Sequence, residues 1–374
     1  MVKRLNAVVL LSAIVAGALL PHGALAQSNT TEPFLMLYYP SWQREIQKPS
    51  QIPWDSITHI MVGPVVPRPD GSINTEFGTP GKTTGERWMK DAAMRAKKEG
   101  VTPVLFVGGA SAVNQWQGAA NSENRSHFAK NLVAAAEKYG YEGIDLDWEP
   151  LRRSDYILIA ALAAEIRKLN PDLVLTLPVG YVNDGTVVSP LFATVARQFD
   201  YVSIMTYDMA GSWPGWEVWH HSALRGATKT TPSSIESAVN AYLATGVPKT
   251  KLGIGVPQYG YCWSGPSKPK DSLSGSAPSA ISYIAIMEDY YKKSARKWDR
   301  TAQMPYLSFS RKTGDKECTF ISYVDAEAAQ ARGEYVKDMG LAGAIVWSSS
   351  QAYLPDESNT KRYPIIDALN EALE

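Results

Sequence analysis

Eight short apolar segments alternate with amphipathic segments along most of this 374-residue chain. Each apolar segment is rich in Val, Ile, Leu or Tyr and is bounded by turn residues, which is typical of buried strands. The predicted strands are 34–39, 57–66, 101–107, 143–147, 173–177, 201–206, 251–256 and 342–347. The predicted helices are 87–98, 127–139, 156–169, 235–243, 326–339 and 365–373. This alternation predicts an α/β chain folded as a (β/α)8 TIM barrel.

One connection is longer than the others and separates the seventh and eighth predicted strands, at about residues 264–320. It contains a stretch rich in Lys, Ser, Pro and Gly, followed by a helix-like segment at 281–298. We predict a small insertion at the top of the barrel, not a separate domain. No low-complexity linker divides the rest, so residues 27–374 are predicted to form a single barrel domain.

The N-terminal segment has the pattern of a secretory signal peptide. Lys3 and Arg4 precede an apolar run at 7–20, and Ala24-Leu25-Ala26 gives a small-x-small cleavage pattern. The run is short for a membrane span, although a buried helix or an uncleaved anchor is the alternative. We therefore predict that residues 1–26 are removed and that the mature protein is secreted, either to a periplasm or to the medium.

Charge and histidine content argue against several classes of partner. Loss of Lys3 and Arg4 leaves 35 of the 37 basic residues against 37 acidic ones. A near-neutral chain without long basic runs has no electrostatic reason to bind nucleic acid or an anionic membrane. The five histidines show no metal-ligand spacing. We expect a monomer with no metal and no cofactor.

Cys262 and Cys318 are the two cysteines of the chain. Export would permit a disulfide between them. A disulfide also requires that the fold bring their Cα atoms within bridging distance, which the sequence does not show. Two unpaired, buried thiols are the equal alternative.

The segment 142–150, EGIDLDWEP, places carboxylates at alternate positions of a predicted strand. Side chains alternate between the faces of a strand, so Asp145, Asp147 and Glu149 should all point into the barrel. Mutual repulsion and burial raise the pKa of at least one of them. Pro150 ends the strand and places Glu149 at the C-terminal rim, where barrel active sites lie. A carboxylic acid that stays protonated there can protonate a glycosidic leaving oxygen, whereas an exposed acidic loop would not show this strict alternation.

These residues resemble glycoside hydrolase family 18, the chitinases. Its fourth-strand motif D-x-x-D-x-D-x-E is matched by Glu142, Asp145, Asp147 and Glu149. Further blocks resemble the family in the same order along the chain: LYYPSW at 37–42, Gly108-Gly109, MTYD at 205–208, GVPQYG at 255–260, and Trp347. The resemblance extends over about 34–351 and implies that the barrel is catalytic.

The resemblance implies a retaining hydrolysis of β-1,4-linked N-acetylglucosamine in chitin or its oligosaccharides, in which the 2-acetamido oxygen of the substrate is the nucleophile. Glu149 would be the acid and then the base. Asp147 would hold the acetamido N–H of the oxazolinium ion, and Asp145 would tune Asp147. The other implied site residues are Tyr207 on the acetamido group, Asp208 on the distorted sugar, Trp347 beneath the sugar, and Met205, Tyr38 and Tyr259 nearby.

Several tryptophans follow predicted strands on the same face of the barrel. Trp213, Trp216 and Trp219 come after the sixth strand, and Trp42 and Trp116 lie on other loops. Flat apolar rings suit sugar stacking, and we include Trp213 among the candidate substrate-binding residues. Packing of the loops explains any one of these residues equally well.

The chain departs from the family pattern at three positions. Glu142 replaces the first Asp of the motif, which is mainly structural in the family. Phe106 stands where the family has a serine that supports the equivalent of Asp145, so the charge sharing with Asp147 and the pH optimum should differ. Tyr261 stands where many relatives have Arg, so a substrate contact on the non-reducing side is missing or replaced.

Other functions remain open at this stage. The same fold and mechanism occur in endo-β-N-acetylglucosaminidases and in hydrolases of peptidoglycan-type polymers. A non-catalytic, glycan-binding lectin of the same fold is a different class, but such relatives usually lose the residue at the position of Glu149. Retention of Glu149 and of the MTYD block favours the chitinase interpretation.

Overall fold

The computed structural model describes residues 32–79, 81–273, 277–358 and 361–374. The signal peptide predicted for residues 1–26 lies outside these ranges. In chain order the strands are β1 (Phe34–Pro40), β2 (His59–Pro67), β3 (Ile73–Asn74), β4 (Thr102–Gly108), β5 (Gly143–Asp147), β6 (Val174–Gly180), β7 (Tyr201–Met205), β8 (Leu252–Pro257), β9 (Tyr259–Trp263), β10 (Ser279–Ser282), β11 (Arg296–Asp299), β12 (Met304–Thr313), β13 (Cys318–Ser322) and β14 (Gly343–Trp347).

The helices lie between the strands. They are α1 (Lys82–Lys98), α2 (Val113–Ala120), α3 (Arg125–Tyr139), α4 (Tyr156–Leu169), α5 (Phe192–Ala196), α6 (Ile235–Leu243), α7 (Tyr283–Ala285, continued by a π-helical turn at Ile286–Tyr290), α8 (Ala326–Met339) and α9 (Pro364–Leu373). Short 3-10 turns occur at Ser41–Gln43, Pro49–Gln51, Trp54–Ser56, Ala110–Ala112, Arg153–Asp155 and Lys249–Lys251. Within the described ranges, no helix combines the length and the apolarity that a membrane crossing requires.

Eight parallel strands close into a barrel in the order β1, β2, β4, β5, β6, β7, β8, β14, with β14 pairing back onto β1. The predicted (β/α)8 barrel and its eight strands are therefore confirmed. β3 adds a short antiparallel hairpin to β2.

Two apolar layers hold the barrel together. Inward-facing side chains form a small inner cluster, which consists of Phe34, Met36, Tyr38, Met61, Val104, Phe106 and Ile345. The alternate residues of the same strands face outward and belong to the larger cluster that packs against the helices. Strand periodicity thus sends every second residue into a confined interior, where a polar group must find a partner.

All six predicted helices are present, although α1 begins at Lys82 and not at residue 87. α2 and α5 were not predicted. They contain 8 and 5 residues, respectively. Segments of one or two turns show too few repeats for a helical period to be detected.

The long connection between β8 and β14 forms a second sheet of five antiparallel strands, in the order β10-β9-β13-β12-β11. The predicted insertion is present, and its sheet extends from Tyr259 to Ser322. The helix predicted for 281–298 is wrong over most of its length, because only Tyr283–Tyr290 is helical. Its two ends pair with β9 and β12, so pairing with distant strands overrides the local apolar spacing.

Cys262 on β9 and Cys318 on β13 are joined by a disulfide, and their Cα atoms lie 5.4 Å apart. The two strands are direct neighbours in the second sheet. The structure therefore supports the disulfide and not the pair of unpaired thiols.

Replacing both cysteines with alanine is expected to lower the free energy of unfolding by about 4 kcal/mol, from the loop-closure entropy of a crosslink of this span. The bridge spans 56 residues of sequence. Thermal unfolding with and without a thiol reductant measures the effect. Reductant should lower the melting temperature of the wild type and leave that of the double variant unchanged. Equal melting temperatures for the oxidised wild type and the double variant would contradict this account.

Candidate active site

The three predicted carboxylates converge at the C-terminal end of β5. Asp145 and Asp147 lie on the strand and are buried, and Glu149 follows two residues beyond the end of the strand. The residues between them face outward, into the large core: Ile144, Leu146 and Trp148. The predicted alternation along 142–150 is therefore present in the structure.

Asp145 is held by two hydroxyl groups inside the barrel. Tyr38 Oη donates to Asp145 Oδ2 at 2.9 Å, and Thr176 Oγ1 donates to Asp145 Oδ1 at 2.5 Å. The pKa of Asp145 is raised to about 7, mainly by burial and in smaller part by the charge of Glu149, even though both hydrogen bonds lower it. Tyr38 was predicted to lie near the site, whereas Thr176 was not among the predicted site residues.

Asp147 and Glu149 act as a coupled pair. Burial, followed by the charges of Glu149 and Asp145, raises the pKa of Asp147 well above its ordinary range. Burial also raises the pKa of Glu149, and a hydrogen bond between the two carboxyl groups raises the pKa of Asp147 and lowers that of Glu149. Each of the two carboxyl groups therefore keeps its proton to a higher pH than a free carboxylic acid does. Asp147 Oδ1 is buried and has no hydrogen-bond partner.

Two consecutive glycines let the end of β4 approach Asp147 closely. Gly108 and Gly109 have φ values of 98° and 87°, and Gly109 N donates to the carbonyl oxygen of Asp147 at 2.8 Å. A Cβ on Gly108 would lie 2.4 Å from that oxygen. Only glycine combines this backbone conformation with this approach, so the glycine pair shapes the wall of the site.

Tyr207 and Asp208 lie just after β7. Burial, followed by the charges of Glu149 and Asp147, raises the pKa of Tyr207 well above its ordinary range, so its hydroxyl keeps its proton and can donate. Asp208 has a φ of 57°, and its Oδ1 accepts hydrogen bonds from Tyr259 at 2.5 Å and from Tyr261 at 2.7 Å. Tyr261, the departure from the family pattern, thus helps to orient Asp208.

These groups border a cavity of about 360 Å³. Its lining includes five predicted site residues beside Asp147 and Glu149, namely Tyr38, Met205, Tyr207, Asp208 and Trp347, together with Trp42 and Phe106. The Tyr38 ring lies 5.3 Å from the Trp347 ring and 5.3 Å edge-on from the Phe106 ring. Phe106 therefore contributes an aromatic wall at the position where the family pattern has a serine.

A second cavity of about 700 Å³ adjoins the first, and both are lined by Ala110, Glu149 and Met205. Its walls come from the loops after β5 and β6 and from the start of α4, and they include Leu151, Tyr156, Tyr181, Val182, Val188 and Pro190. None of these residues was predicted. Glu149 lies where the two cavities meet, so a molecule that occupied both would pass this carboxyl group.

The tryptophans that were predicted on loops divide between packing and surface positions. Trp116 lies on α2, so its predicted loop position was wrong. Trp116 and Trp219 are fully buried, and Trp116 stacks on Trp148 at 5.3 Å, so packing is their role. Trp42 is 55% exposed at the edge of the 360 Å³ cavity. Trp213 lines a different cavity of about 450 Å³ together with Trp216, outside the lining of the two cavities at Glu149.

Glu142, the first residue of the acidic motif, lies apart from these groups. It precedes β5, at the strand end opposite to Glu149, and its side chain is exposed. Its carboxylate forms an ion pair with Lys97 at 2.9 Å. This placement agrees with the structural role that was expected for this position.

Comparison with known families supports the resemblance seen in the motifs. The model of the family described as glycosyl hydrolases family 18 matches residues 35–352. Chitinase A1 of Niallia circulans is 27% identical over 339 residues, a match that covers 75% of this chain and 46% of that protein. A chitinase-like effector of Moniliophthora roreri is 24% identical over 372 residues and is matched over 84% of this chain and 89% of its own length.

Solved structures share the fold. The Group IV chitinase of Ostrinia furnacalis, crystallised with allosamidin, superposes with a TM-score of 0.74 at 22% identity, over 91% of this chain and 98% of that one. The chitinase of Rhizomucor miehei gives a TM-score of 0.73 at 22% identity, over 91% of this chain and all (100%) of that one. At such identities the likeness concerns the architecture of the barrel.

Proposed function

This chain belongs to the glycosyl hydrolases of family 18, and on that premise we propose that it is a chitinase that hydrolyses β-1,4-linked N-acetylglucosamine with retention of configuration. The observation that carries the proposal is the Asp147–Glu149 pair, whose Glu149 lies at the junction of two cavities and whose two pKa values are raised by burial. A glycosidic oxygen placed there would meet a carboxyl group able to protonate it.

In the first step, the acetamido oxygen of the substrate attacks its own anomeric carbon while the bond to the leaving oxygen breaks. Glu149 gives its proton to that oxygen, and a cyclic oxazolinium ion forms. Asp147 Oδ1, buried and unpartnered, is available to accept the acetamido N–H. The Tyr207 hydroxyl, which keeps its proton, is available to donate to the acetamido oxygen. Both contacts position the internal nucleophile.

In the second step, Glu149 removes a proton from water. The water oxygen attacks the anomeric carbon, and the oxazolinium ring opens. The carboxyl group regains its proton, and the acetamido group is restored. The sugar under attack would lie in the 360 Å³ cavity over Trp347, whose indole forms part of the wall. The leaving sugars would occupy the 700 Å³ cavity on the other side of Glu149.

A second candidate function is glycan binding without hydrolysis. The Moniliophthora roreri relative, matched over most of both chains, is named a chitinase-like effector and not a chitinase. Endo-β-N-acetylglucosaminidases and peptidoglycan-type hydrolases remain the alternatives within the same mechanism. The Tyr207–Asp208 arrangement beside the carboxylates favours chitin-type hydrolysis.

Purified protein incubated with the N-acetylglucosamine hexamer is expected to release dimer or trimer. Product analysis by mass spectrometry or chromatography measures this, and the initial anomer, read by NMR, should be β. Binding of the hexamer without release of shorter products would favour the lectin function. Cleavage of N-glycans or of peptidoglycan fragments, with no cleavage of the hexamer, would assign one of these polymers as the substrate in place of chitin.

We also propose that the protein is exported and that its mature form begins near Gln27. The support is the basic start, the apolar run and the Ala24-Leu25-Ala26 pattern of the N-terminal segment. N-terminal sequencing of protein recovered from the medium or periplasm tests the cleavage. Full-length chain retained in the cytoplasm would contradict it.

A further inference from the structure

Asp145 sits between two unlike neighbours on the adjacent barrel strands. In register it faces Phe106 on β4 and Thr176 on β6. Phe106 offers only a hydrocarbon ring, whereas Thr176 offers a hydroxyl. Of these two flanking side chains, Thr176 alone can hydrogen-bond the carboxylate.

We propose that Thr176 is a positioning residue whose hydroxyl fixes the Asp145 carboxylate beside the Asp147–Glu149 pair. This inference rests on the proposed hydrolase function and concerns the same site. Thr176 does not line either cavity at Glu149, so its effect would pass through Asp145.

The geometry supports a specific role. The Thr176 side chain is 3% exposed, and its hydroxyl lies 2.5 Å from Asp145 Oδ1. Tyr38 reaches the other oxygen at 2.9 Å from β1. The two donors therefore hold the two oxygens of one carboxylate. Together they keep the Asp145 carboxylate from rotating toward Asp147. A buried hydrogen bond to a charged group is among the stronger ones in proteins.

The electrostatics give this arrangement a consequence. Hydrogen bonds from Thr176 and Tyr38 favour the charged form of Asp145 and so lower its pKa. Burial acts in the opposite direction and raises it. A charged Asp145 in turn raises the pKa of Asp147. The titratable groups that face Asp145 are Tyr38 from β1, Asp147 and Glu149 from its own strand and the loop beyond, and Tyr207 from the loop after β7. Each of the two tyrosines keeps its proton, so the competition for protons is among the carboxyl groups.

Loss of the Thr176 hydroxyl should therefore move the acid side of the pH profile. Without this donor the pKa of Asp145 rises, and its ionisation needs a higher pH. At the alkaline side Asp145 is charged with or without the hydroxyl, so its effect on Asp147 is unchanged there. The profile of kcat should lose activity at its acid limb and keep its alkaline limb.

The test compares Thr176→Val, which keeps the shape and removes the hydroxyl, with Thr176→Ser, which keeps the hydroxyl. Thr176→Val should lower kcat about 10-fold at the optimum, with little change in KM, and should shift the acid limb upward by about half a pH unit. Thr176→Ser should keep the profile of the wild type. A uniform loss of activity with an unchanged acid limb in Thr176→Val, or equal profiles in the two variants, would overturn the proposal.

A measurement without substrate separates this inference from the proposed function. A buried Asp whose pKa is raised destabilises the fold increasingly as the pH rises above the value of the unfolded chain. Thr176→Val and Thr176→Ser should therefore melt at similar temperatures near pH 4, and Thr176→Val should melt lower at pH 8. A difference that is the same at both pH values would overturn the role of Thr176. A wild type that cleaves no glycan would overturn the proposed function and leave this result intact.

Discussion

Replacement of Glu149 by Gln is expected to lower kcat on the N-acetylglucosamine hexamer by about 10³-fold, because an amide cannot give its proton to the leaving oxygen. Glu149 lies where the two cavities meet, so no other carboxyl group in the described lining is placed at their junction. The amide keeps the size and shape of the side chain. The Kd for the hexamer, measured by calorimetry, should therefore change little.

Glu142→Gln is the matched control, since it makes the same chemical change within the same motif. Glu142 is exposed, pairs with Lys97, and lies at the other end of β5. Its replacement should leave kcat and KM near the wild-type values. Full activity in Glu149→Gln, or equal losses in the two variants, would remove Glu149 from the role of acid.

The part of the site that the sequence predicted well is the part that strand periodicity controls. Alternation along β5 places Asp145, Asp147 and Glu149 on one side, and the eightfold repeat closes the strands so that this side is the interior. Residues at or just beyond the ends of other barrel strands, such as Trp347 and Tyr207, then meet the carboxylates because parallel strands end at one rim.

The rest depends on registers and pairings that no local pattern encodes. Thr176 was missed because its importance comes from lying opposite Asp145 on the next strand, although an inward-facing hydroxyl in a predicted strand was a usable sign. The helix predicted at 281–298 failed because β10 and β11 pair with strands elsewhere in the second sheet. The loop tryptophans look alike in sequence, and only the fold separates buried Trp116 from exposed Trp42.

Replacement of Asp147 by Asn is expected to lower kcat by about 10²-fold or more, because the side chain loses its ionisable group and one acceptor for the acetamido N–H. Asp147 Oδ1 has no protein partner, and the other carboxyl groups raise the pKa of this residue. The amide also presents a donor toward Glu149. The effect should fall on kcat more than on KM, since the lost contacts matter most as the oxazolinium ion forms.

The same substitution should stabilise the protein in a pH-dependent way. The pKa of Asp147 in the folded state lies well above its unfolded value near 4, so the unfolded chain releases a proton that the folded chain retains. This lowers the free energy of unfolding progressively as the pH rises above about 4, by about 1.4 kcal/mol for each unit of pKa difference. Asn has no such proton, and its neutral side chain also relieves Asp145 and Glu149.

Asp147→Asn should therefore melt at the wild-type temperature near pH 4 and several degrees higher at pH 8. Asp172→Asn, at an exposed position, is the control and should follow the wild type at both values. A rise in melting temperature of equal size at pH 4 and pH 8 would mean that Asn stabilises the protein through packing and not through electrostatics. Loss of activity together with a gain in stability that grows with pH would show that three crowded carboxyl groups destabilise this barrel while serving its chemistry. That outcome is the one expected of a site built to hold a proton.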